Sequence, residues 1–378
     1  MTPDFSVVIL HYNAPVFLEG ALDSVARAVQ ERNAEIIVAD NASTDFDADF
    51  FRQRFPQVKF IVYPENYGFA RGNNLAVEAA RGRRIFLLNP DVLVPEALFD
   101  RMNACMDGIN KPGLCSVRLI DGHGRFLPES KRRVPTLTGI AGKMLSRKAG
   151  DFWSGGYYDR RLANTADGAA EVFVGALLGF EREAYLRLGG LDEDYFMYGE
   201  DIDLSVRFLR AGLTNYYLGS VAAVHFKGES TPRDPVYRRH FARAAEIYMQ
   251  KHHPMAYRLT SALVRPLLNR WANRKSPSGA IAQTDSLLPA YVGNRPGVHS
   301  RLERYFGTGV PVFSLEKLPE RPHLLILDPG TYGFETLIGL LEQQAGSAHR
   351  FRWLTLDGKK YYGSDSATAK GEVVRLEE

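Results

Sequence analysis

The first 120 residues or so predict an α/β fold, with a mostly parallel sheet covered by helices on both faces. Two observations carry this. Short all-apolar runs recur along the segment, and amphipathic helical patterns separate them. A strand buried on both faces reads as a continuous apolar run, and helices between such strands imply parallel crossovers.

The runs are Ser6–Leu10 (SVVIL), Glu35–Ala39 (EIIVA), Lys59–Val62 (KFIV) and Arg84–Leu88 (RIFLL). Helices are predicted around Pro15–Gln30, Thr44–Arg54 and Ala70–Arg81. In such sheets ligands sit outside the carboxyl ends of the strands, so the strand exits hold the functional information. The first exit is His11-Tyr12-Asn13 and the second is Asp40-Asn41-Ala42-Ser43-Thr44-Asp45. The third runs from Asn66 to Asn74 and includes Gly68 and Arg71; the fourth is Asn89-Pro90-Asp91. One polar exit is an ordinary helix cap, whereas four along one edge point to a polar pocket. No G-x-G-x-x-G follows the first strand and no G-x-x-x-x-G-K-[ST] occurs, which argues against the usual dinucleotide and P-loop sites.

Residues 121–170 are irregular and basic. A strand-like "EVFVGALLGFERE", the segment "GGLDEDYFMYGEDIDLSVRFLRAG", and two strands, "TNYYLGS" and "VAAVHF", come next. A long helix is predicted over Pro235–Lys251. Strand patterns return at "PHLLILD" and "FRWLTL", with a helix near Phe334–Gln344 between them.

Size and composition bound the rest. At 378 residues and 45% hydrophobic, the chain can bury more than one core, and a formal net charge of +3 gives no reason to expect a nucleic-acid partner. The charge is uneven, however. Lys131 to Lys148 holds six Lys/Arg and no acid, and Glu229 to Lys275 holds ten against three. Two cysteines, Cys105 and Cys115, give no disulfide framework and suggest a reducing compartment. The first residues read as a strand, not a signal peptide, and no apolar run approaches the ~20 residues of a membrane span. A cytoplasmic location, or a peripheral one on the inner face of the cytoplasmic membrane, is expected.

Two stretches carry candidate chemistry. Glu200, Asp201 and Asp203 crowd the first turn of a helix behind Tyr195-Phe196-Met197-Tyr198-Gly199. Acids there complement the helix dipole by ~0.3–1 kcal/mol each; a carboxylate on so rigid a mount beside aromatics also suits a general base near a sugar. Asp91 at a strand exit is either a turn residue or a ligand for a hard divalent cation whose shell phosphate oxygens complete. His225 closes its strand as a structural residue or a further ligand.

"SVVILHYN", "VADNASTD", "ENYGFARGNN", "FLLNPDV", "GGLDEDYFMYGEDIDLSVRFLRAG" and "VHFKGES" occur in that order. Together they resemble the family 2 glycosyltransferases of the GT-A fold, in the bacterial rhamnosyltransferase-like branch, over roughly residues 4–250. The resemblance implies a GT-A domain over 1–250. A helical, basic connector over 251–310 and a small α/β module over 311–378, for docking or oligomerisation, are expected after it.

Site roles follow from the resemblance. Asp40 would bind the nucleotide base, with Asn41, Asn66, Gly68 and Asn74 shaping its pocket. His11, Asn13, Arg71 and Asn89 at the same exits are further donor-binding candidates. Asp91 stands where the family has its metal-binding D-x-D, with Asn89 in the first position, and His225 matches a metal position of some members. Asp201 matches the catalytic base of inverting members, with Glu200 beside it. A Mg²⁺ or Mn²⁺ ion, a dTDP- or UDP-sugar donor (dTDP-L-rhamnose among them) and a saccharide or lipid-diphosphate-linked acceptor in surface polysaccharide synthesis are implied. The basic stretches 131–148 and 256–275 are candidates for an anionic membrane surface; in the second, Leu259, Leu263, Leu267 and Trp271 can share a helical stripe. Two other readings stand beside this one. One is a sugar-1-phosphate nucleotidyltransferase, disfavoured because no Gly-rich basic loop follows the first strand. The other is a non-catalytic nucleotide-sugar-binding scaffold.

Overall fold

Strand β1 (Phe5–His11) lies between β2 (Ala34–Asp40) and β4 (Arg84–Leu88), and β3 (Val58–Val62) adds to the far side of β2, all parallel. These are the four apolar runs of the sequence, within a residue or two. The computed structural model describes residues 2–136, 157–228, 235–273, 287–307, 309–366 and 370–376. Most of the basic stretch 131–148 and the end of the one over 256–275 lie outside them.

The second half of the sheet is mixed. Beyond β4 come β8 (Leu177–Glu181), β6 (Pro112–Ile120), β9 (Thr214–His225) and β5 (Val92–Leu93), with β7 (Asp167–Ala169) also on β9. β8 runs antiparallel to both its neighbours, while β6 and β9 are parallel. The two strands expected at "TNYYLGS" and "VAAVHF" are one, with a register shift between Leu218 and Ala222 where β9 bulges against β6.

Helices cover both faces, as a parallel sheet requires. On one face Val7 and Ile9 pack with α1 (Pro15–Ala28), α2 (Ala48–Arg54) and α4 (Leu98–Asp107) through Leu18, Phe51 and Phe99. On the other, Val8 and Leu10 pack with α3 (Gly68–Glu78), α5 (Arg182–Arg187) and α6 (Glu200–Arg210) through Ala76, Tyr185 and Leu204. Helix α2 starts later than its sequence pattern suggests. Asp47 caps it through the Phe50 amide (3.0 Å), and the residues before it are committed to the strand exits described below.

The expected long helix is α7 (Pro235–His252), which turns straight into α8 (Pro254–Ala272). The two pack as a hairpin around Ala242, Met249, Tyr257 and Leu268. Lys251 bridges Asp192 and Asp194, and His252 Nε2 meets Asp203 Oδ1 at 2.7 Å, so the hairpin is latched to α6 and the turn before it. Burial opposes charge on Asp203, but His252 and Arg207 more than offset it and leave its pKa lowered.

A second sheet has the order β11-β10-β12-β13-β14-β15. Its strands are β10 (Pro289–Val292), β11 (Val312–Phe313), β12 (Leu324–Leu327), β13 (Arg350–Leu354), β14 (Lys360–Gly363) and β15 (Glu372–Arg375). Its helices are α9 (Pro296–Phe306), α10 (Pro329–Tyr332) and α11 (Phe334–Gln343). β10 and α9 fall within residues 251–310, so this unit begins before residue 311 and claims the end of the expected connector.

The two units share a core. Phe17, Leu93, Val224 and Phe226 of the first pack with Leu341 and Trp353 of the second. Tyr362 meets Phe17 and Phe226 edge-on at 5.3 and 5.9 Å. Gly20 on α1 admits this approach, since a Cβ there would lie 1.9 Å from the Tyr362 hydroxyl oxygen. Glu96 accepts the amides of Phe334 and Glu335 at 2.8 and 2.7 Å, so a carboxylate of the first unit caps α11 of the second. Phe226→Ala should cost ~3–5 kcal/mol, as expected for emptying a buried aromatic site, and should lower the chemical-denaturation midpoint of the whole chain. Unchanged unfolding would show that the shared core does not bind the units together.

Docking buries two acids of α1. Asp23 accepts the Leu356 amide at 2.9 Å and faces Arg54 at 3.2 Å, while Lys360 reaches Glu19 at 2.5 Å. Burial dominates and pushes the Asp23 pKa from 3.8 to about 7. A carboxyl with a raised folded-state pKa takes up a proton on folding. Its contribution is therefore complete below the ordinary carboxylate range and is lost as pH rises through about 7. The melting temperature should fall as pH rises from the ordinary carboxylate range to about 7 and then level off, and Asp23→Asn should flatten that fall; an equal fall in the variant would assign it to other groups.

Candidate active site

The exits of β1 and β2 are sewn together by their own polar side chains. His11 and Asp40 are opposite each other in the parallel register. The Ala14 amide donates to His11 Nε2 at 3.1 Å, which makes Nε2 the acceptor and leaves the proton on Nδ1, 2.8 Å from Asp40 Oδ1. The Ser43 amide donates to Asp40 Oδ2 at 3.0 Å. Burial works against the charge on Asp40, but the His11 and Ser43 hydrogen bonds overcome it and lower its pKa. Asn13, in the left-handed region at φ 51°, accepts the Thr44 amide, and its own amide donates to Ser43 Oγ. His11 is fully buried and Asn13 is used in the loop, so of this exit's residues Asp40 has the aimed carboxylate.

The β3 exit joins the same edge. Asn41 donates to Asn66 Oδ1 at 2.9 Å and to the Gly68 carbonyl at 3.2 Å, and accepts the Tyr67 amide at 2.9 Å. Gly68 opens α3 at φ +76°, and a Cβ there would lie 2.6 Å from the Phe196 carbonyl oxygen. That carbonyl accepts the Phe69 amide at 2.8 Å, which ties the start of α3 to the segment leading into α6. Arg71 is exposed over the Tyr67 ring. Asn74 is spent elsewhere: it donates to the Leu191 carbonyl and Glu193, and accepts from the Leu191 amide and Tyr185 hydroxyl. These bonds fix the "GGLDED" turn.

At the β4 exit Asn89-Pro90-Asp91 is a turn, closed by the Val92 amide on the Asn89 carbonyl at 3.3 Å, with Pro in the favoured second position. The turn reading and the ligand reading of Asp91 coexist. Its side chain is buried (5% exposed), and β5 pairs with β9 so that His225 lies beside it. His225 Nε2 is 3.4 Å from Asp91 Oδ1, and the buried His225 Nδ1 has no hydrogen-bond partner among the described residues. A carboxylate and an imidazole at this separation can share one divalent cation. No group of three or more His, Cys, Asp or Glu suited to a metal occurs among the described residues. The pair therefore fits a cation that takes few protein ligands and fills its shell from phosphate and water.

The last component is the start of α6. Asp201 Oδ2 accepts from Arg132 Nη2 at 2.7 Å and the Gly175 amide at 3.1 Å, and Oδ1 accepts the Ile202 amide at 2.7 Å. The next residue, Ala176, accepts the Asn89 amide at 2.9 Å. One short segment thus joins the turn bearing Asp91 to the carboxylate of Asp201. Glu200 is buried with one carboxyl oxygen unpartnered among the described residues; burial, with Asp201 adjoining, pushes its pKa well above the usual carboxylate range. An apolar pocket lined by Tyr157, Tyr198, Ile202, Phe241 and Tyr248 opens beside this turn.

The description "Glycosyl transferase family 2" matches residues 6–189, which carry all four strand exits. A relative from Mycobacterium tuberculosis, an N-acetylglucosaminyl-diphospho-decaprenol L-rhamnosyltransferase, is 31% identical over 252 residues, 62% of this chain and 80% of the relative. The chain is a family 2 glycosyltransferase. The description "N-terminal domain of galactosyltransferase" matches residues 164–253 of the transferase, the part with α6 and α7. The Escherichia coli K12 rhamnosyltransferase WbbL is 24% identical over 225 residues, 55% of this chain and 80% of that one. A Pyrobaculum calidifontis mannosyltransferase solved with GDP-Man and Mn²⁺ superposes at a TM-score of 0.47 with 19% identity, over 73% of this chain and 77% of that one.

Sequence reasoning about the transferase missed Arg132. It made the stretch holding Lys131 and Arg132 a candidate for a membrane surface, but both are buried. Lys131 Nζ is held by the carbonyls of Asp159 and Leu162, and Arg132 by Asp201, the Phe173 carbonyl and the Tyr157 hydroxyl. Burial alone would lower the Arg132 pKa; the charge of Asp201 reverses that and raises it. The only signal in the sequence was a basic run, which does not name a partner 69 residues away.

Proposed function

We propose that this transferase moves a sugar, L-rhamnose from dTDP-L-rhamnose, onto a saccharide of a lipid-diphosphate-linked acceptor, with inversion at the anomeric carbon. The observation that carries the reading is the convergence of Asp40, the Asp91–His225 pair and Asp201 along one sheet edge. The names of the rhamnosyltransferase relatives support the sugar, and that of the Mycobacterium tuberculosis relative the acceptor class.

Asp40, held ionised and aimed by His11 and Ser43, binds the nucleotide base. Asn41 and Asn66 keep that loop in shape, and the α3 start under Gly68 closes it. Asp91 and His225 would hold a Mg²⁺ or Mn²⁺ ion, which when bound would supply positive charge against the nucleoside diphosphate leaving group. Asp201 takes the proton of the acceptor hydroxyl as its oxygen bonds to the anomeric carbon. The bond from that carbon to the diphosphate oxygen breaks in the same displacement. Arg132 and the Gly175 amide fix the carboxylate on the rigid start of α6, which a general base requires.

Titration calorimetry with dTDP, UDP and GDP, with and without Mg²⁺ or Mn²⁺, tests the reading. Metal-dependent binding of dTDP is expected, weakened at least about tenfold by Asp40→Ala, the equivalent of one charge-assisted hydrogen bond. A folded protein that binds none of the three, or transfers no sugar from dTDP-L-rhamnose, sinks it.

A further inference from the structure

Helix α8 presents an outward face that nothing among the described residues covers. Met255, Leu259 and Leu267 are 81%, 85% and 58% exposed, although each is large and apolar. Arg258, Ala262 and Arg270 are exposed with them, and residues 255, 258, 259, 262, 266 and 270 follow one another at helical spacing. Tyr257, Leu268 and Ala272 on the opposite side are buried against α7. The helix runs unbroken through Pro266, and its 19 residues hold no acid at all. Arg265 is tied to Glu246 and the Tyr257 hydroxyl, so it belongs to the hairpin. Arg258 and Arg270 make no ion pair among the described residues. Of the sequence stripe, Leu259 and Leu267 lie on this face, whereas Trp271 turns inward beside Phe241 at 5.6 Å.

We propose that this face of α8 rests on an anionic phospholipid bilayer. Charge complementarity selects that occupant. Exposed long apolar side chains interleaved with arginines, and no carboxylate to repel a phosphate, are the pattern of a helix lying in a membrane interface. A protein partner would be expected to meet at least one acid with its own base. The placement also has a use. Helix α7, on the inner side of the hairpin, lines the apolar pocket beside Asp201 with Phe241 and Tyr248. The hairpin therefore stands between the bilayer and the start of α6. No helix among the described residues is long and apolar enough to cross a membrane, so the contact is with the surface.

Vesicle co-sedimentation of the whole chain tests the proposal without calling on transferase activity. The wild type should pellet with phosphatidylglycerol–phosphatidylcholine vesicles, much less with phosphatidylcholine alone, and should be released by salt. Arg258→Gln with Arg270→Gln should weaken binding about 25-fold, roughly fivefold per arginine near an anionic surface. Met255→Ser, Leu259→Ser and Leu267→Ser together should abolish it. All these side chains are exposed, so the melting temperature should not move and dTDP binding should survive. No binding to anionic vesicles, or binding that both variants retain, overturns the proposal. Self-association lost in the serine variant, with no vesicle binding, also overturns it and assigns the face to a second copy of the chain.

Discussion

Asp201→Asn should lower sugar transfer by ~10²–10⁴-fold, the usual loss on deleting a positioned general base, while dTDP affinity stays within about twofold because Asp40 and Asp91 lie outside its hydrogen bonds. The substitution carries a second cost. Arg132 is buried and its charge is matched by Asp201 at 2.7 Å. Breaking a buried pair on one side leaves an uncompensated charge and costs ~3–5 kcal/mol. The melting temperature of Asp201→Asn should therefore fall as well, and nucleotide binding is the control that the remaining protein is folded. Glu200→Gln separates the two neighbours. Among the described residues Glu200 has no cationic partner of its own at salt-bridge distance, and its carboxyl is pushed toward the neutral form, so the amide should be tolerated. Near-wild-type transfer in Glu200→Gln with loss in Asp201→Asn is the expected pair of results. The reverse pair would make Glu200 the base and Asp201 a structural partner of Arg132.

The second large effect is expected at Asp91. Asp91→Ala should remove the metal-dependent part of nucleoside diphosphate binding and cost ~10²–10³-fold in transfer, the scale seen when one preorganised electrostatic stabiliser is lost. His225→Ala should act in the same direction but less, because an uncharged ligand contributes less to holding a divalent cation than a carboxylate does. The metal-independent part, which rests on Asp40 and the Asn41–Asn66 network, should persist in both. If metal still enhances binding in Asp91→Ala, the cation is held elsewhere, and the Asp91–His225 contact at 3.4 Å is only the packing of a turn on β9.

The residues in these two tests were not equally legible in the amino-acid order. Strands β1, β2 and β4 were plain because a strand buried on both faces has no polar alternation to blur it, and its exits stand out as soon as polarity returns. Asp40, Asp91 and the acids of α6 were named from that contrast and from motif order. The roles of Asn74 and His11 were not readable. The resemblance makes Asn74 a residue that shapes the nucleotide pocket and His11 a donor-binding candidate, and each has its polar atoms engaged inside the protein, Asn74 by the "GGLDED" turn and His11 by Asp40 and the Ala14 amide.

Short strands were harder still. β10, β11, β14 and β15 have four residues or fewer and draw their stability from neighbours, so local pattern gave little warning that the second sheet starts at Pro289.

By itself, then, the sequence determined the parallel core, the edge on which the polar exits gather, the carboxylates available there and the absence of acid from α8. Those are properties of local composition and spacing. Only the tertiary structure decided which charges meet. It buried Lys131 and Arg132 and gave Arg132 to Asp201, placed His225 beside Asp91 through the β5–β9 pairing, and covered Asp23 with the second sheet. It also left Met255, Leu259 and Leu267 in solvent while turning Trp271 inward. The reason is the same in each case. The energy of a charge or an apolar side chain depends on what surrounds it, and those surroundings come from parts of the chain tens to hundreds of residues away.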